Sequence, residues 1–112
     1  MRRSRIGWLS PSSALLLAGL ALAPPTLALD EERQSELTHL VRQDCGSCHG
    51  LTLRGGLGGP LVPQTLRDID SDALADVILD GVPGTPMPPW RGLLSQAEAR
   101  WIAERLKEGF PK

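Results

Sequence analysis

The sequence predicts an all-α fold in one small domain, and three observations predict it. Apolar residues recur at helical spacing in three stretches, near residues 30–46, 71–80 and 95–109. No strand-rich pattern of alternating apolar and polar residues accompanies them. Both cysteines fall in one pentad, Cys45-Gly46-Ser47-Cys48-His49, at the end of the first stretch.

Residues 1–28 read as a secretory signal peptide, with 29–112 as the folded domain. Arg2, Arg3 and Arg5 form a positive start, Ala14 to Ala23 an apolar run, and Pro24-Pro25 break it before the small residues of a cleavage site. That run is shorter than the roughly 20 residues a membrane span requires. An uncleaved anchor is the competing reading. Removing the three N-terminal arginines takes the formal charge from −1 to −4, which argues against nucleic-acid binding. So short a chain buries little surface and benefits from a staple.

The first helix is expected from Asp30 to about Gly46. Asp30 is the cap, and Glu31 and Glu32 suit the positive end of the helix dipole. Leu37, Leu40, Val41 and Cys45 share its apolar face, while His39 lies off that stripe and reads as a solvated surface histidine. The helix delivers the pentad at its C-terminal end.

C-x-x-C-H is the attachment signature of a c-type haem. One helical turn brings both sulfurs to one porphyrin edge, where they form thioethers with the vinyl groups. His49 then reaches the iron as proximal ligand. Three other readings compete. A zinc site would have only Cys45, Cys48, His49 and His39, two of them adjacent and therefore diverging on a helix. A thioredoxin-like dithiol expects a βαβ context. A plain disulfide leaves the histidine without a role. One covalent haem, supplying both a crosslink and much of the core, accounts for the pentad best.

From Gly50 to Gln64 a loop is expected, with glycines at 50, 55, 56, 58 and 59 and prolines at 60 and 63. Glycines let the backbone pass close to a haem face. The carbonyl of Pro60 is the candidate acceptor for the free imidazole nitrogen of His49, a bond that fixes the ring and raises its basicity.

The second helix is expected over Ser71 to Asp80, capped by Asp70 or Ser71, with Leu74, Val77 and Ile78 as its stripe and Gly81 at its end. Next comes Gly84-Thr85-Pro86-Met87-Pro88-Pro89-Trp90. Met87 is the only methionine beyond the signal segment, and its flanking prolines stiffen the loop. A rigid loop presents a thioether well, so Met87 is the candidate second axial ligand, with Trp90 packing near the haem. A lone methionine filling a core gap is the bland alternative. The last helix starts at Ser95, where Glu98 completes a capping box, and Trp101, Ile102 and Leu106 make its apolar face.

Helix, C-x-x-C-H, Gly-Pro turn, helix, Met loop, helix is the order of parts in class I cytochromes c, and the resemblance covers essentially residues 31–110. It implies that the first and last helices pack together, with His49 and Met87 on opposite haem faces. The stretches CGSCHGLTLRGGLGGPL, ILDGVPGTPMPPW and LLSQAEARWIAERLK also resemble the small NirC-type cytochromes of denitrifying bacteria. That narrower resemblance implies a periplasmic electron donor to the nitrite reductase that carries c-type and d-type haems; the quinol-linked upstream donor is expected from the potential-raising methionine ligand. Its alternative implication is a part in maturing that reductase or its d-type haem, which would call for a labile Met ligand.

A His/Met pair leaves the iron no open position, and a methionine ligand raises the potential. The expectation is a soluble one-electron carrier, not an enzyme, with no catalytic constellation of its own. Arg54 and Arg91 fall in loops expected to flank the haem and to rim a weak, transient redox contact.

Overall fold

A computed structural model describes residues 28–110. The signal-peptide reading of residues 1–28 therefore falls almost wholly outside the described residues.

Helices are the only regular elements among the described residues: α1 (Glu31–Leu40), a π-helical turn (Val41–Cys45), α2 (Gly46–His49), α3 (Pro63–Leu66), α4 (Ser71–Asp80) and α5 (Gln96–Glu108). The first three run on without a break, because Leu40, Val41, Cys45 and Gly46 all hold right-handed helical angles. The first helical rod thus carries the entire pentad, and a π turn enters its register just before the first cysteine. Such turns concentrate at functional sites.

Side-chain caps set the helix starts. The Asp30 carboxylate accepts from the Arg33 amide at 2.8 Å. The Asp70 carboxylate accepts from the amides of Asp72 at 2.9 Å and Ala73 at 3.1 Å. At α5 the Ser95 hydroxyl accepts from the Glu98 amide at 3.1 Å, and the Glu98 carboxylate accepts from the Ser95 amide at 2.8 Å, closing a capping box.

One core cluster joins the helices. Leu37 and Val41 meet Ala99, Ile102, Ala103 and Leu106 of α5 and Leu74, Ala75, Ile78 and Leu79 of α4. Four of its large side chains, Leu37, Leu79, Ile102 and Val41, are fully buried. The rings of Trp101 and Phe110 pack edge-to-face at 6.5 Å against its outside. The most extensive helix pairing is α4 against α5. The first and last helices share this core, and the Arg33 guanidinium joins them by donating to the Glu98 carboxylate at 2.6 Å.

Two expectations need correction. The loop after the pentad ends at Val62, because Pro63 starts the one-turn helix α3 at a position where its missing N–H costs nothing. Leu66 on that turn plugs the core beside α5. On α4 the buried face is Leu74, Ala75, Ile78 and Leu79, whereas Val77 is 44 % exposed. Adding Leu79 and Ala75 turns the helix away from the face on which Val77 sits.

Candidate functional site

The pentad is a helix terminus, not a loop. Cys45 ends the π turn and Cys48 lies within α2. One helical turn apart, both line a cavity of about 340 Å³. Its other walls are Leu57 and Gly58 from the following loop and Thr85, Pro86, Met87, Pro88 and Trp90 from the loop after α4. The fold therefore brings Cys45 and Cys48 together with Met87, which is far from them in sequence, around one largely apolar space.

His49 is not among the residues that line this cavity, and its ring lies against Gly58. A Cβ on Gly58 would come within 2.6–3.1 Å of Cε1, Nδ1 and Nε2 of its ring, so the backbone lies flat against the imidazole. His49 Nδ1 is 2.7 Å from the Gly59 carbonyl oxygen. A carbonyl only accepts, so Nδ1 carries the hydrogen and Nε2 keeps its lone pair for a metal. The acceptor expected from sequence, Pro60, is displaced by one residue: its carbonyl instead takes the Thr65 hydroxyl at 2.9 Å. The shift follows from the way the loop folds back. Gly58 N–H donates to Cys48 O at 2.7 Å, Gly55 N–H to His49 O at 2.8 Å, and Leu61 N–H to Leu53 O at 2.8 Å. These bonds turn the Gly59 carbonyl toward the ring.

Met87 is held by its backbone. Its amide donates to Thr85 Oγ1 at 3.3 Å, the Thr85 hydroxyl donates to Val82 O at 2.7 Å, and Val82 N–H donates to Met87 O at 3.3 Å. Downstream, the amides of Trp90 and Arg91 return to Leu79 O at 2.9 and 3.0 Å. The loop is thus closed on itself between Val82 and Met87 and hooked at Trp90 and Arg91 to Leu79 in the last turn of α4.

As a free thiol Cys45 is pushed up to about 11 by burial and by the neighbouring Asp44 carboxylate, so it stays protonated at neutral pH. The Ser47 hydroxyl donates to Asp44 O at 2.7 Å and lies 3.8 Å from Cys48 Sγ.

These residues fit a covalent c-type haem. Two thiols one turn apart face an apolar cavity, an imidazole has its far nitrogen tied, and a thioether comes from a separate, braced loop. No group of three or more His, Cys, Asp or Glu side chains suited to a metal ion occurs among the described residues. His39 is exposed on α1, away from the cavity.

Neither arginine expected at the rim is among the residues that line this cavity. Arg91 is bound to Asp80, with N–O distances of 2.7 and 2.8 Å. Arg54 lines a different cavity of about 450 Å³, with Arg42, Leu61 and Phe110. Asp44 is the one charged side chain among the residues lining the cysteine–methionine cavity.

Comparison with known proteins agrees with this chemistry. The family described as cytochrome c oxidase, cbb3-type, subunit III matches residues 32–104. The chain is 59 % identical to cytochrome c55X of Paracoccus denitrificans (strain Pd 1222) over 92 residues, covering 82 % of this chain and 86 % of the relative. It is 34 % identical over 96 residues to a dihydro-heme d1 dehydrogenase of Pseudomonas aeruginosa, covering 86 % of this chain but 20 % of that protein. Among solved structures, a c-type cytochrome NirC superposes with a TM-score of 0.69 at 54 % identity, covering 70 % of this chain and 93 % of that one.

Proposed function

The chain belongs to the c-type cytochromes of that family and carries a covalently bound haem, and on this premise we propose that it is a soluble one-electron carrier of denitrification, exported to the periplasm, which donates to the haem-containing nitrite reductase. In this reading Cys45 and Cys48 hold the haem through thioethers, and His49 and Met87 are its axial ligands. The haem supplies the one-electron redox change. The protein's own residues orient it, exclude water and tune it.

One observation carries the proposal. Met87, on a loop hooked to α4, lines the same cavity as Cys45 and Cys48, while His49 Nδ1 is tied to Gly59 O at 2.7 Å. With His49 and Met87 both bound to the iron, no position would be left open for a substrate. The hydrogen bond to Gly59 strengthens the imidazole as a ligand, and a thioether partner favours the reduced state. The upstream donor in this reading is a quinol-oxidising chain, and residues 1–28 are removed on export.

The test is to mix the reduced protein with purified nitrite reductase and follow its oxidation on adding nitrite. Rapid oxidation dependent on both reductase and nitrite is expected. No oxidation removes that reductase as the partner.

A second reading is supported by the 34 % identity with part of a dihydro-heme d1 dehydrogenase. It makes the chain an accessory factor in maturing the d-type haem, with Met87 leaving the iron. Ready binding of carbon monoxide or cyanide at neutral pH supports that reading; a Met-to-iron charge-transfer band in the oxidised protein supports the closed carrier.

A further inference from the structure

We propose that Gly81 and Thr85 are positioning residues that keep Met87 on the haem iron, so that the closed state of the site is set by the end of α4 and not by the Met loop alone. The inference rests on the reading of Met87 as an axial ligand.

Gly81 ends α4 with φ 66° and ψ −170°, a combination open in practice only to glycine. It is buried, and a Cβ there would stand 2.7 Å from Met87 O, 2.8 Å from Pro88 C and 2.9 Å from Pro89 N. All three are backbone atoms in a proline-stiffened run, which cannot yield as a flexible side chain does. The last turn of α4 and the backbone of Met87 are therefore in direct van der Waals register. Gly84, three residues on, also has a positive φ, 79°, yet a Cβ there meets nothing within 4 Å. The close approach is particular to Gly81.

Thr85 supplies the second half of the brace. Its hydroxyl has one hydrogen to donate, which goes to Val82 O at 2.7 Å, and its oxygen accepts the Met87 amide at 3.3 Å. Val82 N–H closes the circuit on Met87 O at 3.3 Å. The loop from Val82 to Met87 is thus cross-tied through one side chain. A loop set this way has few alternative positions for the thioether, and α4, packed along α5, is a stiff support for it.

The test uses the haem-loaded protein and four variants, Gly81→Ala, Thr85→Val, Thr85→Ser and Met87→Ala. The readouts are the Met-to-iron charge-transfer band of the oxidised form and the rate of cyanide binding. Gly81→Ala and Thr85→Val are expected to keep the haem attached, weaken the band and speed cyanide binding by about tenfold or more, as when a position of special φ/ψ is overfilled or a brace is cut. Thr85→Ser keeps the hydroxyl and should restore wild-type values. A merely structural role would lower thermal stability while leaving the band and the rate unchanged. If Gly81→Ala fails to accumulate, the Thr85→Val and Thr85→Ser pair decides alone. A band and rate unmoved in Thr85→Val, with the band lost and cyanide binding accelerated in Met87→Ala, would overturn the positioning role while leaving the ligand reading intact. A band retained in Met87→Ala would overturn both.

Discussion

The imidazole of His49 donates its Nδ1 hydrogen to the Gly59 carbonyl at 2.7 Å, while the preceding glycine, Gly58, lies flat against the same ring. Two adjacent glycines thus have unequal demands. A Cβ on Gly58 would enter the ring at 2.6 Å, whereas one on Gly59 meets nothing within 4 Å. Gly58→Ala should turn or push the imidazole and destabilise the loaded protein by about 1–3 kcal/mol, the usual range for overpacking. Gly59→Ala keeps the carbonyl and should stay within about 0.5 kcal/mol of wild type. Thermal unfolding of both variants, with the NMR shifts of the His49 ring protons, checks the contrast. Equal effects would show that the ring is not held by this wall.

The pentad itself predicts attachment. With both thiols on one helical face of the cavity, acidic acetone should leave all haem with the protein. Cys45→Ala and Cys48→Ala should each lower the yield of loaded, folded protein, because the haem fills space that the described core leaves between α2 and the Met87 loop. Colour passing into the solvent from the unmutated protein would refute covalent attachment.

Much of the site was legible because its parts are local in sequence. The pentad is five consecutive residues, and caps such as Asp30, Asp70 and Ser95 act over three positions, so each announces itself. What was not legible depends on how distant segments meet. The acceptor for His49 falls on Gly59 and not Pro60 because backbone bonds from Gly55, Gly58 and Leu61 settle the loop's register. Val77 has the right spacing for the α4 stripe, yet α4 packs along α5 on the side of Ala75 and Leu79. The π turn at Val41–Cys45 has no residue signature of its own. Arg91 looked available, and only the fold shows it opposite Asp80.

Acid should loosen the link between the first and last helices. Hydrogen bonds from Arg33 and from the Ser95 amide hold the Glu98 carboxyl below the usual glutamate range, and the Ala73 and Asp72 amides do the same for Asp70. A carboxyl depressed in the folded state adds stability that is complete above its unfolded pKa and is lost as pH falls through the folded value. The loss should therefore begin near about pH 4.3 for Glu98 and continue below it. Glu98→Gln should lower the melting temperature at neutral pH and flatten its fall in acid. Ser95→Ala, which removes the other half of the capping box, should cost about 1 kcal/mol at any pH. Parallel melting curves for wild type and Glu98→Gln from neutral to acid pH would sink the assignment.

Association with the redox partner should respond most to Asp44. The cavity that holds the two cysteines and Met87 is walled by Leu57, Pro86, Pro88 and Trp90, and Asp44 is the only charged residue lining it. Arg54 lines the other cavity, and Arg91 spends its charge on Asp80 at 2.7 Å. A charge at the rim of a redox contact acts mainly on the association rate, and salt screens it beyond a Debye length of about 10 Å at 0.1 M. Asp44→Lys should therefore change the bimolecular rate with the nitrite reductase several-fold at low ionic strength, on the order of 3–10-fold, and hardly at all in high salt. Arg54→Glu should change it less. Arg91→Glu places a second carboxylate beside Asp80 and should lower stability more than rate. Stopped-flow rates across a salt series decide the matter: a larger low-salt effect from Arg54→Glu than from Asp44→Lys would move the contact off this cavity and onto the face that Arg54 shares with Arg42 and Phe110.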